Sequence, residues 1–272
     1  LVNVLSSLFT IPTLSPLDAL VLFLTAMLAG MFNAIAGGGS FLVFPMLLVL
    51  GIPAIAANAT STIGLLFGVL TSAYAYRKHL IDESTSGFTR QDFWGLTIAS
   101  FIGGIIGSLL LLQLPAKIFT GLVPYLMLMA AALFTLNPTI TRWLQSRGNH
   151  LRLPFVAAVG LQLIIAIYGG YFGGGASILM LAVMNFMGLH NLNAMNGMKS
   201  WLGAVFNSIA IFLFIQAGKI IWLPGLIIAA GSIFGALISA TIAQKIPQKV
   251  LRFCIVAIAW AMTVYLFWRS WQ

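Results

Sequence analysis

Apolar residues follow one another in this chain in long unbroken stretches, and polar residues gather in the short intervals between them. Such stretches predict helices; a membrane β-barrel would show short segments of alternating polarity instead. In the first half the stretches are segment A, Leu17–Ala36; B, Ser40–Leu50; C, Ala57–Tyr76; D, Phe93–Leu114; and E, Ala116–Leu136. A connection over Asn137–Leu153 carries Arg142, Arg147, His150 and Arg152. The series then recurs as A′, Pro154–Gly170; B′, Ala176–Met187; C′, Ala194–Gln216; D′, Ile220–Ala243; and E′, Gln248–Trp268. At about 1.5 Å per residue, across a hydrocarbon core about 30 Å thick, B and B′ reach only about half way. They are expected to be half-helices or re-entrant pieces.

Residues recur as well as hydropathy. AIAGGGSFLVFPML at Ala34–Leu47 matches GYFGGGASILMLAV at Gly170–Val183, and Gly51 after B matches Gly188 after B′. Asn58–Thr62 parallels Asn196–Ser200, Gly103/Gly107 parallels Gly231/Gly235, and Leu114–Phe119 parallels Ile246–Leu251. Several matches in one order point to a duplication: repeat 1 over 1–136, a central connection over 137–153 and repeat 2 over 154–272.

Composition decides the solvent. Apolar residues make up 61% of the 272 and charged residues 6%, against roughly 25% charged in a soluble domain. Most of the chain therefore needs lipid around it. The net charge of +9 does not point to nucleic acid, because the basic residues stand singly at the ends of apolar runs and form no basic stripe. They orient the chain instead, since basic loops favour the cytoplasm. Arg77, Lys78 and Arg90 lie between C and D, three arginines in the central connection, and Lys245, Lys249 and Arg252 between D′ and E′. The D–E turn has only Lys117 and the C′–D′ turn only Lys219. With the rich loops inside, C runs inward and C′ outward. The predicted fold is an all-α polytopic membrane protein of two inverted-topology repeats, each with a short glycine-initiated helix, both termini on the periplasmic side. Leu1–Thr10 lacks the basic start and cleavage site of a secretory signal. The single cysteine, Cys254, excludes an internal disulfide.

Gly37–Gly39 before Ser40, and Gly173–Gly175 before Ala176, each precede a short segment. Irregular backbone at membrane depth is tolerated where it is buried or lines a watery cavity, and a helix start offers free N–H groups and positive dipole to an anion. Close helix packing is the alternative use of such glycines, and it is the reading for Gly103/Gly107 and Gly231/Gly235. Segment C opens with Asn58, Thr60, Ser61 and Thr62, and C′ with Asn196, Lys199 and Ser200; both sets also suit helix caps. Lys199 follows a half-length segment into a span, where it either faces a cavity or snorkels to the surface. The candidate substrate-binding set is Gly38, Gly39, Ser40, Asn58, Thr60, Ser61, Gly174, Gly175, Ser177, Asn196 and Lys199.

No predicted span carries an acid: Asp18, Asp82, Glu83 and Asp92 lie in loops or at segment ends, as do His79, His150 and His190. There is no zinc motif and no catalytic pair. No enzyme, cofactor or metal is expected, and no span acid is available to relay protons or bind sodium.

The stretches Ala29–Thr62 and Tyr168–Ser200 resemble the TauE/SafE family of sulfite-exporter-like membrane proteins. They share a glycine-rich run, a short apolar helix ending in glycine, then small residues with Asn, Thr, Ser or Lys. The order of repeats extends the resemblance over nearly the whole chain. It implies transport of a small sulfur anion, such as sulfite, thiosulfate or a sulfonate, across the bacterial inner membrane. The runs here end in Ser40 and Ala176 where many relatives continue with glycine, so a backbone-only site does not carry over to those two positions. The expected function is a transporter, in the export direction, of a small sulfur oxyanion or organosulfonate. The alternatives are an anion channel and a non-transporting scaffold. The expected partners are that anion and the lipid bilayer, with a homodimer possible through small-residue faces on D and E, and no nucleic acid.

Overall fold

A computed structural model describes residues 14–35, 38–81, 87–146, 153–189, 191–242 and 248–270. These residues form helices α1 (Pro16–Ile35), α2 (Ser40–Val49), α3 (Ala54–Ile81), α4 (Arg90–Gln113), α5 (Ala116–Ser146), α6 (Phe155–Tyr171), α7 (Ala176–Phe186), α8 (Leu192–Gln216), α9 (Trp222–Ile242) and α10 (Gln248–Ser270). Each apolar segment became one helix. Among the described residues six helices are long and apolar enough to cross a membrane, while α2 and α7 have only 10 and 11 residues. Phe101, Ile106 and Leu110 on α4, and Leu226, Phe234 and Leu237 on α9, face outward. Exposed apolar faces on that scale mark a surface covered by lipid or by another protein, and on helices of this length lipid is the cover.

Two boundaries differ from expectation. α3 continues past Tyr76 through Arg77, Lys78 and His79 to Ile81, since straight basic side chains favour helix and suit its C-terminal dipole. Arg77 stacks on the Tyr74 ring at 3.6 Å and donates to the Tyr74 carbonyl. α5 runs ten residues into the predicted central connection, to Ser146; Ile140, Trp143 and Leu144 keep helical spacing there. The described acids sit at helix starts: Asp18 bonds Ser15, and Asp92 forms a reciprocal cap with Thr89. Asp82, Glu83, Arg147, His150, Arg152 and His190 lie outside the described residues.

The halves interlock. α1 packs on α9 and α6 on α4; α3 also packs on α9 and α8 on α4; α3 meets α8, and α5 meets α10. Exchanging α1–α5 for α6–α10 reproduces this set of pairings, as a pseudo-twofold requires. Directions follow from the registers. Gly95 faces Phe155, Gly103 faces Ala166 and Gly107 faces Ile167, so α4 and α6 are parallel. Gly231 faces Phe23 and Gly235 faces Met27, so α1 and α9 are parallel. Gly64 beside Ile228 and Gly68 beside Ser232 make α3 parallel to α9. Trp201 on Thr97 and Phe206 beside Gly104 make α8 parallel to α4. Because α8 and α9 are joined by a short turn and run oppositely, α1 and α3 oppose α6 and α8. An inverted duplication has this arrangement. The D and D′ glycine pairs are packing devices: a Cβ at Gly107 would lie 2.0 Å from the Ile167 carbonyl oxygen, and one at Gly235 1.9 Å from that of Met27. Small residues let backbones approach in this way, and these faces are covered within the chain.

Candidate functional site

The short helices α2 and α7 begin beside one cavity of about 60 Å³, enclosed by α3 and α8, a volume on the scale of a few waters or one small ion. From α3 it is lined by Thr62, Leu65, Val69 and Ser72, and from α8 by Lys199, Ser200, Gly203, Phe206 and Asn207. Both sets follow the three- and four-residue spacing that places side chains on one helix face. With Asn58–Thr62 set against Asn196–Ser200, Thr62 corresponds to Ser200, Leu65 to Gly203 and Val69 to Asn207. The cavity is thus built from equivalent stripes of the two halves, with Gly38 and Ser40 entering from the start of α2, and Gly173, Ala176 and Ser177 from α7.

Lys199 is 3% exposed. Its ammonium donates to Asn196 Oδ1 at 3.0 Å, one of the three donors it carries. Among the described residues no carboxylate pairs with it. A charge at this depth costs about 2.5–3.5 kcal/mol on insertion scales, so an unpaired ammonium facing a cavity calls for a negative occupant. The hydroxyls of Ser40, Ser177 and Ser200 and the amide of Asn207 line the same cavity and have no hydrogen-bond partner among the described residues. The Ser177 backbone N–H is likewise without one. The Lys199 ammonium, the Ser177 N–H, the three hydroxyls and the Asn207 amide can all donate, and among the described residues nothing here supplies negative charge. Among the described residues there is also no cluster of three side chains able to hold a metal.

Of the sequence-predicted set, Gly38, Ser40, Ser177 and Lys199 line the cavity, and Asn196 stands one hydrogen bond behind. The others are placed differently. The Gly39 N–H donates to Asn33 Oδ1 at 2.8 Å. The Gly174 carbonyl accepts from the Tyr168 hydroxyl. Gly175 caps α7 with φ 80° and lies against Ala130 and Leu133 of α5. Asn58 Nδ2 donates to the Tyr171 carbonyl at 3.1 Å. Thr60 Oγ1 accepts from the Ile221 N–H at 3.0 Å, tying α3 to the turn before α9, and Ser61 Oγ donates to the Asn58 carbonyl. Sequence reasoning passed over Asn33, Ser72 and Asn207. Asn207 had a signal: it is polar inside an apolar segment and lies in register with Ser200.

An apolar exterior on helices of membrane-spanning length, around a polar cavity between two short helix starts, defines a polytopic membrane protein. The family model for Sulfite exporter TauE/SafE matches residues 22–266, and the chain belongs to that family. It is 30% identical over 259 residues to the "Probable membrane transporter protein YfcA" of Escherichia coli K12, covering 94% of this chain and 92% of that one. It is 29% identical over 247 residues to a "Probable membrane transporter protein" of Haemophilus influenzae, covering 89% and 92%. A "Probable membrane transporter protein ORF9" of Sinorhizobium sp is 28% identical over 250 residues, covering 90% of each. No solved structure matches the chain. The chain is thus a membrane transporter of the TauE/SafE family and not an enzyme.

Proposed function

We propose that this protein exports a small sulfur anion, sulfite or a compact sulfonate, across the bacterial inner membrane, with both termini on the periplasmic side. The observation that carries this is the buried Lys199, unpaired with any described carboxylate and facing a cavity rich in free donors. An anion there meets the ammonium, the Ser40, Ser177 and Ser200 hydroxyls and the Asn207 amide. Charge-assisted hydrogen bonds to an oxyanion are about twice as strong as neutral ones. Direction follows from energetics: one negative charge moving out of an inside-negative cell gains about 2.3 kcal/mol per 100 mV, so no intramembrane acid is required for coupling. Purified protein with a panel of small anions is the test. Sulfite or a short sulfonate should raise its melting temperature, and efflux from proteoliposomes should accelerate with an imposed inside-negative potential. If no sulfur anion stabilises the protein, the substrate reading fails. Flux indifferent to potential removes electrogenic export.

A further inference from the structure

A second, larger cavity of about 580 Å³ lies at the far end of α2 from the first. Leu48 and Ile52 line it from the end of α2 and the loop beyond, Ala56 from α3, Thr120 and Val123 from α5, and Lys219 from the α8–α9 turn. Its walls are apolar apart from Thr120 and Lys219, and it sits on the face bearing Lys117 and Lys219. The two cavities share α2 and α3 as a common wall. Along α3, Ala56 lines the outer cavity and Thr62 the inner one, a separation of about 9 Å along the helix axis.

Two aromatic pairs adjoin residues that line the two cavities. Phe44 on α2 packs edge-on against Phe172, itself a lining residue of the inner cavity. Phe119, one residue before Thr120, packs edge-on against Tyr171 with ring centroids 5.5 Å apart. Asn58 closes the group by donating to the Tyr171 carbonyl, which accounts for its burial at the level of the cavities without lining either. Beside Phe119 the Tyr171 hydroxyl is buried and has no hydrogen-bond partner among the described residues. Buried hydroxyls are nearly always satisfied, and an orphan calls for a role. Phenylalanine would give the same packing without stranding a donor.

We propose that Tyr171 is the gate between the inner anion cavity and the outer vestibule, and that its hydroxyl donates to the anion in transit. The substrate's nature rests on the function proposed above; the gate's position does not. At rest the Tyr171 ring packs on Phe119, while its chain neighbour Phe172 packs on Phe44. When these pairs part, the anion leaving Lys199 meets one donor before the apolar vestibule and the positive rim at Lys219.

Thiol labelling tests the gate without knowledge of the substrate. In a Cys254→Ser background, Ala56→Cys should react with a membrane-impermeant methanethiosulfonate added to the vestibule face, while Thr62→Cys resists it. Adding Tyr171→Ala should make Thr62→Cys reactive. Equal labelling of Thr62→Cys with and without Tyr171→Ala overturns the gate, as does an unreactive Ala56→Cys. Tyr171→Phe keeps the ring, so it should fold and keep Thr62→Cys protected. Its sulfite efflux should fall about threefold to tenfold, the loss of one hydrogen bond in passage, with sulfite-induced stabilisation unchanged. Wild-type flux in Tyr171→Phe overturns the transit role. If no sulfur anion stabilises either protein, the substrate proposal fails while the labelling result still decides the gate.

Discussion

In the first half of the molecule the Gly39 amide is held by Asn33, and Gly38 lies under the Phe134 ring. In the second half the Gly174 carbonyl is held by Tyr168, while the amide and hydroxyl of Ser177, a lining residue, have no partner among the described residues. Position is shared between the two turns; chemistry is not. Each is pinned by a side chain from the preceding helix, but the first turn surrenders a backbone donor to that pin and the second an acceptor. A donor-rich site therefore gains more from the second half, which also contributes Lys199 and Asn207. The pseudo-twofold fixes where the two turns meet the cavity, and departures from it fix which groups each turn presents there.

Steric differences between the turns should give the largest effect. Gly38 has φ 97°, and a Cβ there would lie 2.4 Å from the Phe134 ring, itself buried and packed edge-on against Phe41. Gly38→Ala combines left-handed strain with overpacking and should cost about 2–4 kcal/mol. Gly175 has φ 80°, but its added Cβ would find its nearest atom at 3.6 Å; Gly175→Ala should cost only the strain, about 1–2 kcal/mol. Thermal unfolding of both variants in the same detergent decides this, and equal losses would mean that the two turns are packed alike.

Charge distinguishes the halves next. Lys199→Met should weaken anion binding about tenfold to hundredfold, the worth of a charge-assisted contact, while leaving the fold at least as stable, because a buried cation is gone. The equivalent position in the first half is Ser61, whose hydroxyl turns back to the Asn58 carbonyl and which does not line the cavity. Ser61→Lys in the Lys199→Met background should therefore not restore binding. Titration of sulfite by melting temperature reads both outcomes; rescue would show that the two sides are interchangeable.

These assignments separate what the sequence makes legible from what it leaves open. Helix positions were legible because lipid demands continuous apolar runs: α2 starts at Ser40 and α7 at Ala176, where the segments were expected to start. Lys199 was legible because a lone cation within a span has few uses. Asn58, Thr60 and Ser61 look like ligands by composition, yet their partners are the Tyr171 carbonyl, the Ile221 amide and a local carbonyl. Two of those contacts reach across more than a hundred residues, which local pattern does not reveal. The interlock of α1 with α9 and α6 with α4 was hidden for the same reason. Loop charges report direction, not which helix a glycine face will meet.

The pins themselves come third. Asn33→Ala leaves the Gly39 N–H without its acceptor in a buried turn, and should cost about 1–3 kcal/mol. Tyr168→Phe removes a donor from the Gly174 carbonyl and should cost less, about 0.5–1.5 kcal/mol, because a carbonyl with two lone pairs tolerates a lost partner better than an amide does. Asn33 also lines the cavity, so Asn33→Ala should weaken sulfite binding and Tyr168→Phe should not. Melting temperature with and without sulfite reads stability and binding in one experiment. A sulfite shift reduced equally by both variants would remove Asn33 from the site.

The smallest expected effect bears most directly on the asymmetry. Val69 and Asn207 occupy equivalent positions on α3 and α8 and line opposite sides of one cavity. Asn207→Val makes the second half resemble the first. Because the Asn207 amide has no protein partner among the described residues, its loss strands nothing, and stability should stay within about 0.5 kcal/mol of wild type. Sulfite affinity should fall a few-fold, the net worth of one neutral hydrogen bond at about 0.5–1.5 kcal/mol. Val69→Asn in that variant returns an amide from the opposite wall at the same depth. If the anion is held chiefly by the second half, next to Lys199, the transplanted amide should restore less affinity than Asn207 supplied. Full restoration would mean that the anion sits on the pseudo-twofold axis, with Lys199 setting affinity but not position.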